Sequence, residues 1–131
     1  MRNFWTFGIA VLLFLSGCKK EKDEQSLDEI VCKQAESYYQ SLVGGSYADF
    51  LEGLSGTSSM LPEQREQALD ALKMFCQIQQ KNHGGIVKSR GVNANIQGDR
   101  AEVFVGLIYA DSIREKIVVP MILVEGIWKM E

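Results

Sequence analysis

The strongest constraint in this sequence is a change of hydrophobic period at Gly84-Gly85. Upstream of the pair apolar residues recur every three or four positions; downstream they alternate, so helix-forming and strand-forming halves follow one another instead of interleaving. From Leu27 to Val43 the positions Leu27, Ile30, Val31, Ala35, Tyr38 and Leu42 share one helical face, with Ser26 and Glu29 as a capping box and Gly44-Gly45 as a stop. Ser46 to Leu54 repeats the pattern in miniature, with Tyr47, Phe50, Leu51 and Leu54 inward. After a Gly/Ser/Thr loop over 53–59, Pro62 opens a third helix whose predicted inner face is Ala68, Ala71, Leu72, Phe75, Ile78 and Gln79.

The second half reads as a meander. Ile86 to Ile96, Ala101 to Ala110, Ile113 to Val124 and Ile127 to Met130 are strand candidates, separated by turns at Gln97-Gly98-Asp99, Asp111-Ser112 and Glu125-Gly126. Pro120 cannot donate to a ladder and is expected at an edge or a bulge. The expected fold class is therefore α+β: three N-terminal helices packed on the concave face of a curved four-stranded antiparallel sheet. A chain of 131 residues, 46% hydrophobic and 24% charged, suits one such core. The net charge of −3, with no Lys/Arg block longer than a pair, argues against a nucleic-acid partner.

The N-terminus carries an address. Met1-Arg2-Asn3 precedes an uncharged run of twelve, Phe4 to Leu15, which is too short to span a bilayer and has the length of a signal-peptide core. Leu15-Ser16-Gly17-Cys18 then resembles the lipobox of bacterial lipoproteins. That resemblance implies cleavage between Gly17 and Cys18 and a diacylglyceryl group on the Cys18 thiolate. The chain would divide into a signal peptide (1–17), a lipidated cysteine with polar tether (18–26) and a folded domain (27–131). The membrane becomes a partner through two or three acyl chains, enough for stable anchoring. The expected location is the bacterial cell envelope, on the outer membrane's periplasmic or exposed face. Lys22-Asp23-Glu24 resembles the charged export tags of some surface lipoproteins, and Lys19 after the cysteine is compatible with passage to an outer membrane. Loss of residues 1–17 removes only Arg2, leaving 13 basic and 17 acidic residues. Ser16 and Lys19 also spell an S-x-x-K string, but the cleavage would discard that serine.

The folded part resembles a family as well. The helix order, the I-x-G-D-x-A-x-V turn from Ile96 to Val103 and the closing E-G-x-W-K from Glu125 to Lys129 are similar to small nuclear-transport-factor-two-like lipoproteins, cystatin-like cones also called lumazine-binding-like. The resemblance implies a conical fold that encloses a pocket; such cones often pair through the open face of the sheet, so a homodimer is one open alternative for the oligomeric state. It implies no single activity, because the same cone carries isomerases, dehydratases, carriers and interaction domains.

Chemistry is sparsely encoded. With Cys18 lipidated, Cys32 and Cys76 flank the stripes of the first and third helices and are either a disulfide or two separate thiols. His83, the one histidine, sits where a basic group caps a helix C-terminus. No metal-ligand spacing, phosphate loop, dinucleotide fingerprint or nucleophile elbow occurs, so no metal, cofactor or catalytic residue is assigned. The expected pocket lining is Tyr38, Tyr39, Val103, Val105, Leu107, Tyr109 and Trp128, with Trp128 either a core plug or a ligand platform. Asp99 and Asp111 are expected in turns, Asp70 off the third helix's stripe, and Glu102 and Glu115 facing solvent, so no base points inward. The expectation is a non-enzymatic module that binds an envelope protein or an apolar small ligand. The alternatives are a small isomerase or dehydratase on a hydrophobic substrate, or an inhibitor or immunity-type domain with an apolar patch at Leu54, Met60 and Leu61.

Overall fold

A computed structural model describes residues 26–131 of the chain. The signal peptide, Gly17, Cys18 and the tether as far as residue 25 lie outside the described residues. The elements are α1 (Leu27–Val43), α2 (Tyr47–Glu52), a 3-10 turn (Thr57–Ser59), α3 (Pro62–His83) and strands β1 (Ile86–Gln97), β2 (Arg100–Tyr109), β3 (Arg114–Val124) and β4 (Ile127–Met130). The strands pair antiparallel in the order β1-β2-β3-β4, giving the α+β plan anticipated from the period change.

Local signals set the helix ends. The Ser26 hydroxyl accepts a hydrogen bond from the Glu29 amide at 3.2 Å, and Pro62 occupies the first turn of α3. Gly84 ends α3 in the left-handed conformation at φ 78°, which a side chain would strain.

The core lies between α1 and the inner face of the sheet. Val31, Ala35, Val103, Val105 and Met121 are fully enclosed. Alternation along β2 sends Ala101, Val103, Val105, Leu107 and Tyr109 inward. α1 approaches the sheet closely because position 91 is glycine: a Cβ there would lie 2.3 Å from the Cys32 carbonyl oxygen. Ser89, also buried, donates to the Glu36 carbonyl at 3.0 Å and so ties β1 to α1.

Pro120 sits where a proline does least harm. Its carbonyl accepts the Glu131 amide at 3.0 Å, just past the end of β4, so its nitrogen faces a place where the ladder has run out. The segment expected to be only a loop adds pairing: Leu54 bridges Met130 in parallel, with Met130 donating to the Gly53 carbonyl and Ser55 to the Met130 carbonyl. That bridge covers the outer edge of β4.

The inner face of α3 differs from the expected one. Phe75 (38% exposed) and Ile78 (49%) face outward beside Met74, while Ala68, Leu69, Leu72, Cys76 and Gln79 turn inward. Two polar contacts accompany this rotation: Arg65 pairs with Glu52 at 2.7 Å near one end, and His83 with Asp111 at 2.8 Å at the other. Apolar content alone favoured a stripe about one position away.

Candidate functional site

The expected pocket is filled. Val103 and Val105 are 0% exposed, Leu107 1%, Tyr109 3% and Trp128 6%, with Tyr38 and Tyr39 packed against them. Tyr39 meets Phe50 edge-to-face with ring centroids 5.2 Å apart. These side chains are core, and Trp128 is a plug rather than a platform. The reason is the short distance between α1 and the sheet: with glycine at position 91 the helix settles onto the strands and its own residues fill the concavity.

Open space lies instead at the margin. A cleft of about 270 Å³ separates the end of α1 and the start of α2 from α3 and β1, with Leu42, Tyr47, Cys76, Gln79, Gln80 and Ile86 among its walls. Cys76 and Tyr47 share this cleft; burial pushes the Cys76 thiol pKa up, and the neighbouring Tyr47 hydroxyl offsets part of that rise. Cys32 lies elsewhere, against Gly91, and burial together with the charges of Asp28 and Glu36 pushes its pKa up. Both are free thiols. Of the two alternatives for this pair, the structure has separate thiols: Cys32 packs ten residues, nearly three helical turns, before the Leu42 end of α1 where Cys76 sits, about 15 Å along the axis.

A polar cluster that sequence reading missed joins the end of α3 to the β2–β3 turn. The imidazole Nδ1 of His83 lies 2.8 Å from Asp111 Oδ2, and the ring lies over Tyr109 with centroids 4.7 Å apart at 35°. Tyr109 in turn donates its phenolic proton to Glu115 Oε1 at 2.9 Å. Backbone bonds hold the frame: Asp111 donates to the His83 carbonyl and Ala110 to the Gly85 carbonyl. The hydrogen bond from His83 holds the Asp111 carboxyl below the usual aspartate range. Burial, then the hydrogen bond and charge of Glu115, push Tyr109 up to about 12, so the phenol stays protonated and acts as a donor.

One expectation changes here: His83 binds a side chain across the turn rather than only capping its own helix. Glu115 is exposed as expected, and its register opposite Leu107 lets it accept from the Tyr109 phenol. The available signal was a histidine closing the last helix and an aspartate in the middle β-turn, but its meaning depends on the turn folding back onto the helix end. Among the described residues no group of three or more His, Cys, Asp or Glu is placed to hold a metal ion.

The suggested apolar patch at 54–61 is not continuous: Leu54 and Met60 are half-buried and only Leu61 is open, at 63%. The buried Thr57 explains this, since its hydroxyl bonds the carbonyls of Leu51 and Leu54 and draws the loop inward.

A Campylobacter jejuni crystal structure described as an NTF2-like transpeptidase superposes with a TM-score of 0.57 at 14% identity, covering 73% of this chain and 92% of that one. At such identity the likeness shows the fold: this chain has an NTF2-like α+β cone. No protein-family model and no curated relative matches the sequence.

Proposed function

We propose that this chain is a lipid-anchored lipoprotein of the bacterial cell envelope whose cone is a non-enzymatic module that binds another envelope protein. The observation that carries the binding role is the filled interior: with Val103, Val105, Leu107 and Trp128 enclosed, recognition falls to the surface. The outward row Met74, Phe75 and Ile78 offers apolar side chains at helical spacing, the arrangement by which helices dock on protein partners. The Leu15-Ser16-Gly17-Cys18 motif supports the anchor. An apolar small ligand is the other occupant to consider, and the cleft beside Cys76 is where it would lie.

A second reading, an isomerase or dehydratase, draws on one observation: a carboxylate orients His83, whose Nε2 has no hydrogen-bond partner among the described residues, the arrangement of a general base. Fractionation of cells carrying Cys18→Ala tests the anchor, with release from the membrane and an unchanged fold expected; retention in the membrane after a high-salt wash refutes it. Photo-crosslinking from position 74 in the intact envelope tests the binding role. A discrete crosslinked protein supports it. A reproducible extra mass in native mass spectrometry, with no crosslink, favours the small ligand instead.

A further inference from the structure

The sheet has a second face. Residues between the buried positions of β2 point away from the helices, placing Glu102, Phe104, Gly106 and Ile108 on an outer surface that no described helix covers. The register extends this face to both neighbours. Lys88 and Arg114 flank Ile108, while Arg90 and Lys116 flank Gly106. Strands about 4.8 Å apart and same-face residues about 7 Å apart make this a rectangle of four cations roughly 10 by 7 Å. All four are exposed, and none belongs to an ion pair among the described residues.

Two features make the quartet a docking surface rather than ordinary solvated charge. Its floor is low, since Gly106 carries no side chain, so a flat surface can meet all four cations together. It is also continuous with an apolar patch. Phe104 is half-buried, Val118 beside it is 50% exposed, and Val92 at the β1 bulge is 52% exposed and would lie 3.8 Å from a Cβ at position 106. Neither cationic row contains a carboxylate; Glu102 and Glu131 lie nearer the other end of this face, where Glu131 pairs with Arg100. In a chain with more acidic than basic residues, this is a local reversal of sign.

We propose that this face lies against an anionic bilayer surface, with Lys88, Arg90, Arg114 and Lys116 meeting phospholipid phosphates and Val92, Phe104 and Val118 resting at the headgroup boundary. The inference rests on the anchor reading for one of its supports. α1 starts beside this surface, since Asp28, Glu29 and Glu36 share a cleft with Arg90, Val92 and Asn93; these carboxylates border the face at its Arg90 edge, and none forms an ion pair with Arg90. A tether from Cys18 to residue 25 reaches at most about 30 Å, so an anchored domain stays within reach of the membrane its lipids occupy. Acyl chains and a basic patch are the two signals that together hold a peripheral domain on a membrane. Screening over about 8 Å confines the attraction to the part of the domain that touches the surface.

Lysine footprinting of the lipid-modified full chain tests the idea. The chain is reconstituted on phosphatidylcholine vesicles with or without one-third phosphatidylglycerol, and acetylation at low conversion is read by mass spectrometry. On anionic vesicles Lys88 and Lys116 should be acetylated about fivefold more slowly than Lys73 and Lys81 on α3, with no such difference on zwitterionic vesicles or in high salt. Arg90→Ser/Arg114→Ser should abolish the protection while the chain still floats with both vesicles. Equal acetylation on both vesicle types overturns the proposal. Protection that persists on zwitterionic vesicles and in detergent also overturns it and assigns the face to a second copy of the chain. Flotation separates the two readings: a chain that floats only with anionic vesicles, with Lys88 and Lys116 protected, has lost the anchor but keeps the docking face. A chain that floats with neither has lost both.

Discussion

Tyr38 donates its phenolic proton to the carbonyl of Trp128 across 2.6 Å, although 90 residues separate them. The bond joins the first helix to the last strand and holds the Trp128 backbone while its indole fills the core. Trp128→Ala should lower stability by about 3–5 kcal/mol in chemical denaturation, from the cavity it leaves. Tyr38→Phe should cost about 1 kcal/mol, because the half-buried carbonyl loses its donor. A loss under about 1 kcal/mol for Trp128→Ala would mean that the indole is not core.

Gly91 tests the tight approach of helix and strand. Gly91→Ala forces a methyl against the backbone oxygen of Cys32 and should destabilise by about 2 kcal/mol, because helix and strand must move apart. Gly56, with nothing within 4 Å and an ordinary negative φ, should accept alanine within about 0.5 kcal/mol. Equal urea midpoints for the two variants would contradict the packing described.

The His83 cluster predicts two pH effects of opposite sense. The Asp111 pKa is depressed in the folded state, so its contribution is present above the ordinary aspartate value of 3.8 and is lost as pH falls through the lower folded value. Asp111→Asn should therefore be less stable near neutrality and lose less on acidification. The Tyr109 pKa is raised, so its contribution is full below the ordinary 10.0 and is lost as pH rises towards about 12. Tyr109→Phe should flatten the alkaline limb, which thermal melts between those values measure.

The two domain cysteines should both react with an alkylating agent in the unfolded, unreduced protein, read as two added groups by intact mass. In the folded state Cys76 at the cleft should react before Cys32, which is 8% exposed and whose thiolate is disfavoured by burial and two carboxylates. Failure of both to alkylate without reductant would show that they are bonded.

Much of the fold was legible because its determinants are local. The Gly84-Gly85 period switch, the Ser26 cap, Pro62 and the alternation along Ala101 to Tyr109 each act within a few residues, and the structure places each of them as expected. The α+β plan followed from the same short-range signals joined in order. The rotation of α3 did not follow, since it is set by how the helix packs against elements outside it, where Arg65 meets Glu52 and His83 meets Asp111.

The sequence by itself determined the order of elements, the inward face of the sheet and the motif at Cys18, all carried by neighbours along the chain. Tertiary structure alone decided that the cone is filled and that Cys32 and Cys76 lie apart. It also brought His83, Tyr109, Asp111 and Glu115 into one cluster and four cations onto one sheet face. The physical reason is that periodicity assigns a residue to a face but not to a depth or a partner. How closely a helix settles on a sheet, and which strands lie side by side, are properties of the whole packed chain.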